Sequence, residues 1–368
     1  MAPKCKEIVQ VLNNLAPFSL AEKWDNSGLL VGDPEAKIQG IILCLDVNEK
    51  VIAEALKQGS NLIISHHPLI FKPLTHLRAN SKQVDLIYKL IKHDLQVIAF
   101  HTNFDSAGQG VNQQLAQLLG LEKIQLLQPI QEELIKIAVF VPAGYEDAVR
   151  DAMGEAGAGY IGNYSHCTFR SLGTGTFLPL EETNPFIGIS GKLEEVQEYR
   201  LETIVQKDLL PEVIKNILRV HPYEEVAYDL YPVENKLVRH GLGRVGTLPR
   251  PLNLEQFAQL VKEKLKIKTV RVYGDKDQII TRVAICGGAG RSMLKTAAQL
   301  QAQVLLTGDL SYHDYQEAAE LEIALLDAGH FATEIISLDY LKNYLAKELV
   351  SSSLGIKVVK SKDPWEFI

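Results

Sequence analysis

Short apolar runs alternate with amphipathic helical patterns along roughly the first 130 residues, and this alternation limits the possible folds more than any other feature of the sequence. Such alternation is typical of a parallel sheet wrapped by helices. The predicted strands are 39–46, 61–65 and 96–101, and the predicted helices lie near 5–16, 49–58, 81–93 and 110–119.

The end of the chain repeats this rhythm, whereas the middle does not. At the end, strands are predicted near 269–273, 281–286, 303–306 and 323–327, with helices between them and a long final helix at 331–348. In the middle, the strand IKIAVFVP is followed by a helix at 146–155, a glycine-rich run, the strand-like VQEYRLETIVQ, a helix at 210–219 and the strand EEVAYDLYPV. That order fits a ferredoxin-like α+β unit.

Because both flanks are α/β and the middle is α+β, the simplest architecture is one domain with a second domain inserted through a surface loop. We predict an α/β core domain formed by residues 1–128 and 240–368, in which two α/β halves surround a mostly parallel sheet. Residues 129–239 form the predicted ferredoxin-like insert. A length of 368 residues agrees with two or three domains.

The composition narrows the class of protein. With 46% hydrophobic and 23% charged residues, it is that of a soluble globular protein. No run approaches the roughly 18 uncharged apolar residues that span a bilayer, and the N-terminus has the pattern of an amphipathic helix, so we expect a cytoplasmic protein. The four cysteines are far apart and indicate neither a zinc ribbon nor a disulfide framework. A net charge of -7 argues against nucleic acid as a partner.

Three of the predicted strands are followed at once by residue types that bind metal ions. These residues are His66 and His67 after the strand at 61–65, His101 and Asp105 after the strand at 96–101, and Asp327, His330 and Glu334 after the strand at 323–327. Because sites in open α/β sheets form at the carboxyl ends of the strands, we expect all three strands to contribute to one rim. Pro68 turns the backbone after the two adjacent histidines, so that both imidazoles can face one site.

Each of these features also has a purely structural explanation. The two adjacent histidines fit one core imidazole beside one that faces water. His330 and Glu334, four residues apart at a predicted helix start, fit a surface pair, and Asp105 fits a helix cap or turn. The coincidence of three strand ends favours a metal site instead, and the lack of a nearby cysteine points to Zn, Mn, Fe, Ni or Co.

Five strong ligands exceed the needs of a single catalytic ion, which usually takes three and keeps one position for water. The predicted ligands are His66, His67, Asp105, His330 and Glu334. Two divalent ions with one bridging carboxylate use five ligands naturally, and we assign the bridge to Glu334. Hydrolysis is the expected chemistry, because water between two such ions is acidic enough to attack at neutral pH.

Three further stretches adjoin the same rim. Asp309 and His313, four apart in TGDLSYHD, suit support of the metal ligands or proton transfer, although Asp309 fits a helix cap equally well. The glycines of CGGAG at 286–290 fit either an approach to phosphate or a tight strand-to-helix turn. Trp24, in EKWDNSG, fits either a substrate pocket or a loop cover.

The motifs SHHPLIF, HTNFD, CGGAG, TGD and DAGHFATE, in this order, resemble those of the Nif-three-like family, whose bacterial members are often labelled GTP cyclohydrolase 1 type 2 homologues. The resemblance covers roughly 1–128 and 240–368, and the insert is similar to the PII and CutA type of ferredoxin-like domain. It implies a dinuclear metal site on the same five ligands and a homohexameric ring with the sites facing an inner cavity.

Two functions are consistent with these features. The first is a metal-dependent hydrolase of a nucleotide-like small molecule, in the named case converting GTP to dihydroneopterin triphosphate and formate. His313 or His101 would then act as the general acid. The alternative is a metal-binding regulatory or metabolite-sensing protein without turnover, which the PII-like insert favours.

Overall fold

The computed structural model describes residues 2–78, 81–350, 354–361 and 363. The chain divides into two compact units. Met1–Ile130 and Arg239–Ile368 form the first unit, and Gln131–Val238 form the second. The α/β class predicted from the sequence is confirmed, and the strands of the described residues are arranged in two sheets.

The helices are α1 (Cys5–Leu15), α2 (Glu49–Gln58), α3 (Lys82–Lys92), α4 (Thr102–Ser106), α5 (Val111–Leu118), α6 (Glu146–Glu155), α7 (Leu210–Val220), α8 (Leu254–Leu265), α9 (Leu294–Gln299), α10 (Tyr312–Glu320), α11 (His330–Glu334) and α12 (Ser337–Glu348). The strands are β1 (Gly28–Val31), β2 (Gly40–Cys44), β3 (Leu62–Ser65), β4 (Gln96–Ala99), β5 (Glu122–Pro142), β6 (Phe169–Phe177), β7 (Glu194–Gln206), β8 (Tyr228–Asn253), β9 (Arg271–Tyr273), β10 (Ile279–Ile285), β11 (Val304–Thr307), β12 (Ala324–Asp327) and β13 (Gly355–Val358).

The first unit contains a five-stranded sheet in the order β1-β4-β3-β2-β13. Only β1 runs antiparallel to its neighbour, and the other pairs are parallel. Successive residues of β2 belong to opposite faces, because side chains alternate along a strand. Ile41 packs with α1 and α12, whereas Ile42 packs with α2 and α3. Both faces are therefore covered by helices, which explains the continuous apolar runs.

The first unit also contains strands of the second sheet, in the order β8-β10-β11-β12-β9. The central pairs β10-β11 and β11-β12 are parallel, and the flanking pairs are antiparallel. One face packs against α5 and α8, and the other packs against α9 and α10. The carboxyl ends of β11 and β12 lead directly into residues of the candidate site.

The second unit has the element order β5, α6, β6, β7, α7, β8, and its strands are arranged β6-β7-β5-β8. Its own apolar core joins the inner faces of β5 and β7 to α6 and α7, through residues such as Ile137, Val149, Leu201 and Ile217.

Local signals account for most of the predicted boundaries. Helix α2, for example, begins where Asn48 accepts a hydrogen bond from the Val51 amide and ends at Gly59 in the left-handed region. The predicted helix at 331–348 consists of two helices, α11 and α12. Between them the Ser337 hydroxyl donates to the Glu334 carbonyl at 2.7 Å, in competition with regular helical bonding.

None of the helices in the described ranges is long and apolar enough to cross a membrane.

Candidate metal centre

The candidate ligands come from strand ends of two sheets, whereas the sequence suggested the rim of one sheet. His66 and His67 directly follow β3, and His101 follows β4 and leads into α4, which carries Asp105. These strands belong to the five-stranded sheet. The other ligand-type side chains lie on the one-turn helix α11, which follows β12 of the second sheet.

Because β3 ends at Ser65, the side chains of His66 and His67 can both point toward the other candidate ligands. The Ser65 hydroxyl donates to the His67 carbonyl at 2.8 Å, which stabilises the turn before Pro68. The centroids of the two imidazole rings are 5.1 Å apart. The backbone turn inferred from the sequence thus brings neighbouring side chains to one site.

The most buried part of the group contains His66, Asp105 and Glu334. The Nε2 atom of His66 lies 3.6 Å from Asp105 Oδ1 and 3.6 Å from Glu334 Oε1. These distances are too long for good hydrogen bonds, and both His66 Nε2 and Asp105 Oδ1 are buried without a hydrogen-bond partner among the described residues. A buried polar atom without a partner is costly, so this geometry fits a metal ion that would bind both atoms.

The second part of the group contains His67, His330 and Glu334. Glu334 Oε2 lies 3.0 Å from His67 Nε2, and Oε1 lies 3.1 Å from His330 Nε2. The two Nε2 atoms are 3.2 Å apart. The two oxygens of this one carboxylate therefore face different imidazoles, as a bridging ligand requires.

In each of the four imidazoles of the candidate metal centre, Nδ1 forms a hydrogen bond with an oxygen acceptor. The acceptors are the Phe100 carbonyl for His66 at 2.9 Å, and Asp46 for His67 at 2.8 Å, Asp25 for His101 at 2.8 Å and Asp309 for His330 at 2.7 Å. Since a carbonyl or carboxylate cannot donate, each Nδ1 carries a proton, and Nε2 is the ring atom that a metal ion would bind in place of a proton. Carboxylate and carbonyl partners of this kind orient histidine ligands in metal sites.

The electrostatics of the candidate metal centre favour positive charge there. Burial lowers the pKa of His67, but Asp46 and Glu334 outweigh it and raise that pKa to about 10. The hydrogen bond with Glu334 is the main cause that raises the pKa of His330 to about 9. Burial raises the pKa of Asp105, whereas the surrounding imidazoles hold the pKa of buried Glu334 well below its usual value. A divalent cation would supply the positive charge that protons otherwise supply.

Gly288 closes one side of the group. A Cβ atom at this position would lie 2.2 Å from Glu334 Oε1 and 3.4 Å from His330 Nε2, so only glycine allows this approach. The backbone amides of Gly287, Gly288 and Gly290 donate to Asn112, Thr333 and Thr307 respectively. These glycines therefore serve a tight turn against the candidate ligands, and the three amides are engaged within the protein.

The two candidate general acids lie in different surroundings. The His101 ring centroid is 5.2 Å from that of His66 and 5.6 Å from that of His67, and His66, His67 and His101 offer ligand atoms within 4.8 Å of one another. His313 is exposed on α10, where its Nδ1 hydrogen-bonds Gln316. The structure thus adds His101 to the predicted ligands and does not bring His313 into the group.

Sequence reasoning missed two carboxylates, Asp25 and Asp46, which hold imidazoles in place. Asp46 stands just beyond β2, so the rule that selected the other strand ends would have found it. Asp25 accepts from His101, Thr102 and Ser27, and these hydrogen bonds hold its pKa well below the usual value although burial acts to raise it. Nothing local in the sequence signals that role, because His101 is 76 positions away.

Together the described residues contain two groups able to hold a metal ion, His66 with His67 and His101, and His67 with His330 and Glu334. The fold and these groups define an α/β protein with a candidate metal centre built from the strand ends of two sheets.

Comparison with known proteins identifies the family. The model of the Duf34/NIF3 (NGG1p interacting factor 3) family matches residues 3–364, and the chain belongs to this family, as its motifs suggested. A protein of Halalkalibacterium halodurans named GTP cyclohydrolase 1 type 2 homolog is 43% identical over 365 residues, covering 98% of both chains. A protein of Bacillus subtilis with the same name is 44% identical over 332 residues, covering 90% of this chain and 89% of the relative.

A solved structure gives the same result for the fold. The crystal structure of a Bacillus cereus protein related to NIF3 superposes with a TM-score of 0.89 at 40% sequence identity, covering 100% of both chains.

Proposed function

We propose that this protein is a hydrolase that uses two divalent metal ions and acts on a nucleotide-like small molecule. The observation that carries the proposal is the position of Glu334, whose two carboxylate oxygens face imidazoles from both sheets within 3.0 to 3.6 Å. A carboxylate so placed suits a bridge between two neighbouring ions.

We divide the proposed ligands into two sets. His66 and Asp105 would hold one ion, and His67 and His330 would hold the other, with Glu334 shared. His101 lies beside His66 and is proposed either as a further ligand or as the proton donor. When bound, a pair of divalent ions polarises a substrate oxygen and activates water for attack at neutral pH. The residues Asp25, Asp46 and Asp309 would keep the imidazoles oriented toward the ions through their Nδ1 hydrogen bonds.

The proposed substrate class rests on the named relatives and on the site. Proteins 43% and 44% identical to this chain carry the name GTP cyclohydrolase 1 type 2 homolog. We propose GTP as the first substrate to test, with formate and dihydroneopterin triphosphate as the products. Ring opening also requires a proton for the departing nitrogen, and His101 and His313 are the two proposed donors.

The metal site is tested by replacing Glu334 with Gln and measuring metal content by elemental analysis of protein purified without added metal. We expect Glu334→Gln to lose at least one ion per chain and all turnover, because the amide nitrogen cannot serve as the second bridging oxygen. Glu320→Gln, an exposed change on α10, is the matched control. Wild-type metal content and activity in Glu334→Gln would contradict the proposal.

The reaction is tested by incubating the metal-containing protein with GTP and measuring formate and a pterin fluorophore. Absence of both products with Mn, Zn, Fe and Ni would exclude the cyclohydrolase reaction. The roles of His101 and His313 are separated by Gln variants of each. Loss of metal from His101→Gln identifies a ligand, whereas loss of turnover with full metal content identifies a proton donor.

The second candidate function is metal-dependent sensing or regulation without turnover. The observation that favours it is the second unit, which has its own apolar core between two strands and two helices. Turnover of any tested nucleotide would overturn this function. Deletion of 131–238 tests the unit itself, since catalysis that continues at the wild-type rate would assign the unit to assembly or sensing. A homohexamer is the proposed assembly, and sedimentation of the intact and shortened chains would measure it.

A further inference from the structure

Two aromatic side chains remain exposed beside the candidate metal centre. Trp24 is 59% exposed and Phe71 is 43% exposed, and their ring centroids are 5.9 Å apart with an interplanar angle of 49°. Trp24 also approaches the His101 ring, at 6.2 Å between centroids and 78° between planes. Large apolar side chains grouped on a surface are informative, because burying them would be favourable.

The segments that carry these rings are held to the centre and to each other. Asp25, next to Trp24, accepts hydrogen bonds from His101 Nδ1 at 2.8 Å and from the Thr102 hydroxyl at 2.5 Å. The Asn26 side-chain amide donates to the Ile70 carbonyl at 2.5 Å, directly before Phe71. Trp24 therefore lies at the edge of the imidazole group, and the hydrogen bond from Asn26 to Ile70 holds the Phe71 segment beside it.

We propose that Trp24 and Phe71 form a platform for a planar heteroaromatic ring of the substrate, such as a purine, beside the metal ligands, with the ring stacked on Trp24 and its edge against the tilted Phe71 ring. This inference rests on the proposed function and names the part of the substrate that the site recognises. Stacking on aromatic side chains needs no hydrogen-bond readout, since every base has a π face, and it suits a surface made of two rings. The reacting atoms would lie toward His101 and the ligands beyond it.

Binding can be observed directly through Trp24. The sequence contains two tryptophans, Trp24 and Trp365, so Trp365→Phe leaves Trp24 as the only indole. In the full-length, metal-containing protein, guanosine monophosphate is expected to quench Trp24 fluorescence in a saturable manner. Ribose 5-phosphate, which has the sugar and phosphate without the ring, is expected to leave the fluorescence unchanged.

Two variants of Trp24 distinguish aromatic stacking from a nonspecific apolar contact. Trp24→Leu keeps an apolar side chain but removes the π face, and Trp24→Phe keeps a smaller ring. By calorimetry, guanosine monophosphate is expected to bind Trp24→Leu roughly tenfold more weakly than wild type, while Trp24→Phe retains most of the affinity. Metal content is expected to stay at the wild-type level in both. Equal affinity for Trp24→Leu and wild type, or equal binding of ribose 5-phosphate and guanosine monophosphate, would overturn the proposal.

The same measurements distinguish this proposal from the proposed function. Ring-dependent binding without any hydrolysis would support the platform and overturn the hydrolase. Hydrolysis with an unchanged KM in Trp24→Leu would support the hydrolase and overturn the platform.

Discussion

Gly288→Ala gives a sharp test of whether Glu334 is the centre of the metal site. A Cβ atom would lie 2.2 Å from Glu334 Oε1, where real contacts are at least 3.0 Å, so the carboxylate oxygen would have to move by 3.0 − 2.2 = 0.8 Å. Glu334 is 3% exposed and packed between three imidazoles, so it has little room to move. Metal sites tolerate errors of only about 0.2 Å in ligand distance.

The backbone cost of the substitution has to be separated from this displacement. Gly288 has a φ angle of +64°, and Gly59, at the end of α2, has a φ angle of +63° with nothing within 4 Å of its would-be Cβ. Alanine in the left-handed region costs about 1 to 2 kcal/mol at either position. Gly59→Ala is therefore a matched control that carries the backbone strain without touching the site.

In urea unfolding of the metal-free protein, we expect both variants to lose the same backbone cost and Gly288→Ala to lose more, because it also displaces Glu334. Only Gly288→Ala should lose metal affinity, by roughly 10 to 100 fold, the range found when groups that orient metal ligands are changed. A chelator competition titration with elemental analysis measures that affinity. If Gly288→Ala binds metal within twofold of Gly59→Ala, the assignment of Glu334 as the shared ligand is refuted.

Three further predictions concern the supporting residues. Asp309→Ala removes the Nδ1 partner of His330, so metal affinity should fall roughly tenfold in the same titration, and unchanged affinity would show that Asp309 does not orient the ring. Arg244 is 1% exposed and donates five hydrogen bonds, four of them to carbonyls, so Arg244→Met should lower the free energy of unfolding by about 3 to 5 kcal/mol. A loss below 1 kcal/mol in urea unfolding would contradict this role. His240 accepts from the Gly108 amide, and burial, followed by nearby arginines, lowers its pKa to about 4. Because the unfolded state takes up this proton first, the stabilisation is complete above about pH 6.5 and is lost as the pH falls toward 4. Because the ring is only partly buried, solvent screening reduces the effect, and roughly 1 kcal/mol should be gone at pH 5. His240→Gln should therefore show a flatter stability profile than wild type between pH 7 and pH 5, and parallel profiles would count against the shift.

Sequence patterns predicted the buried parallel strands well because the information is local. Residues 62–65 and 304–307 are apolar except for the last residue of each, and their strands β3 and β11 have no exposed residue. The edge strand β13 was not predicted. Its residues alternate between exposed and half-buried, and its pairing with β2 lies more than 300 positions away in the chain.

The candidate ligands were predictable for the same local reason. Where histidine or carboxylate residues follow a strand, the ligand types are visible in the sequence within a few positions. His66, Asp105 and His330 are examples. The protonation pattern of the imidazoles was not predictable, because it depends on acceptors such as Asp25 that reach the site only through the fold.

The sequence by itself determined the α/β class and the strand ends that carry ligand-type residues. The tertiary structure decided that these ends come from two sheets, that His101 joins them and that Gly288 and Trp24 border them. His67 and Glu334 approach to 3.0 Å across 267 positions of chain. Hydrophobic periodicity reports which face of one element is buried, whereas that approach depends on how two separately covered sheets pack, which is a property of the whole unit.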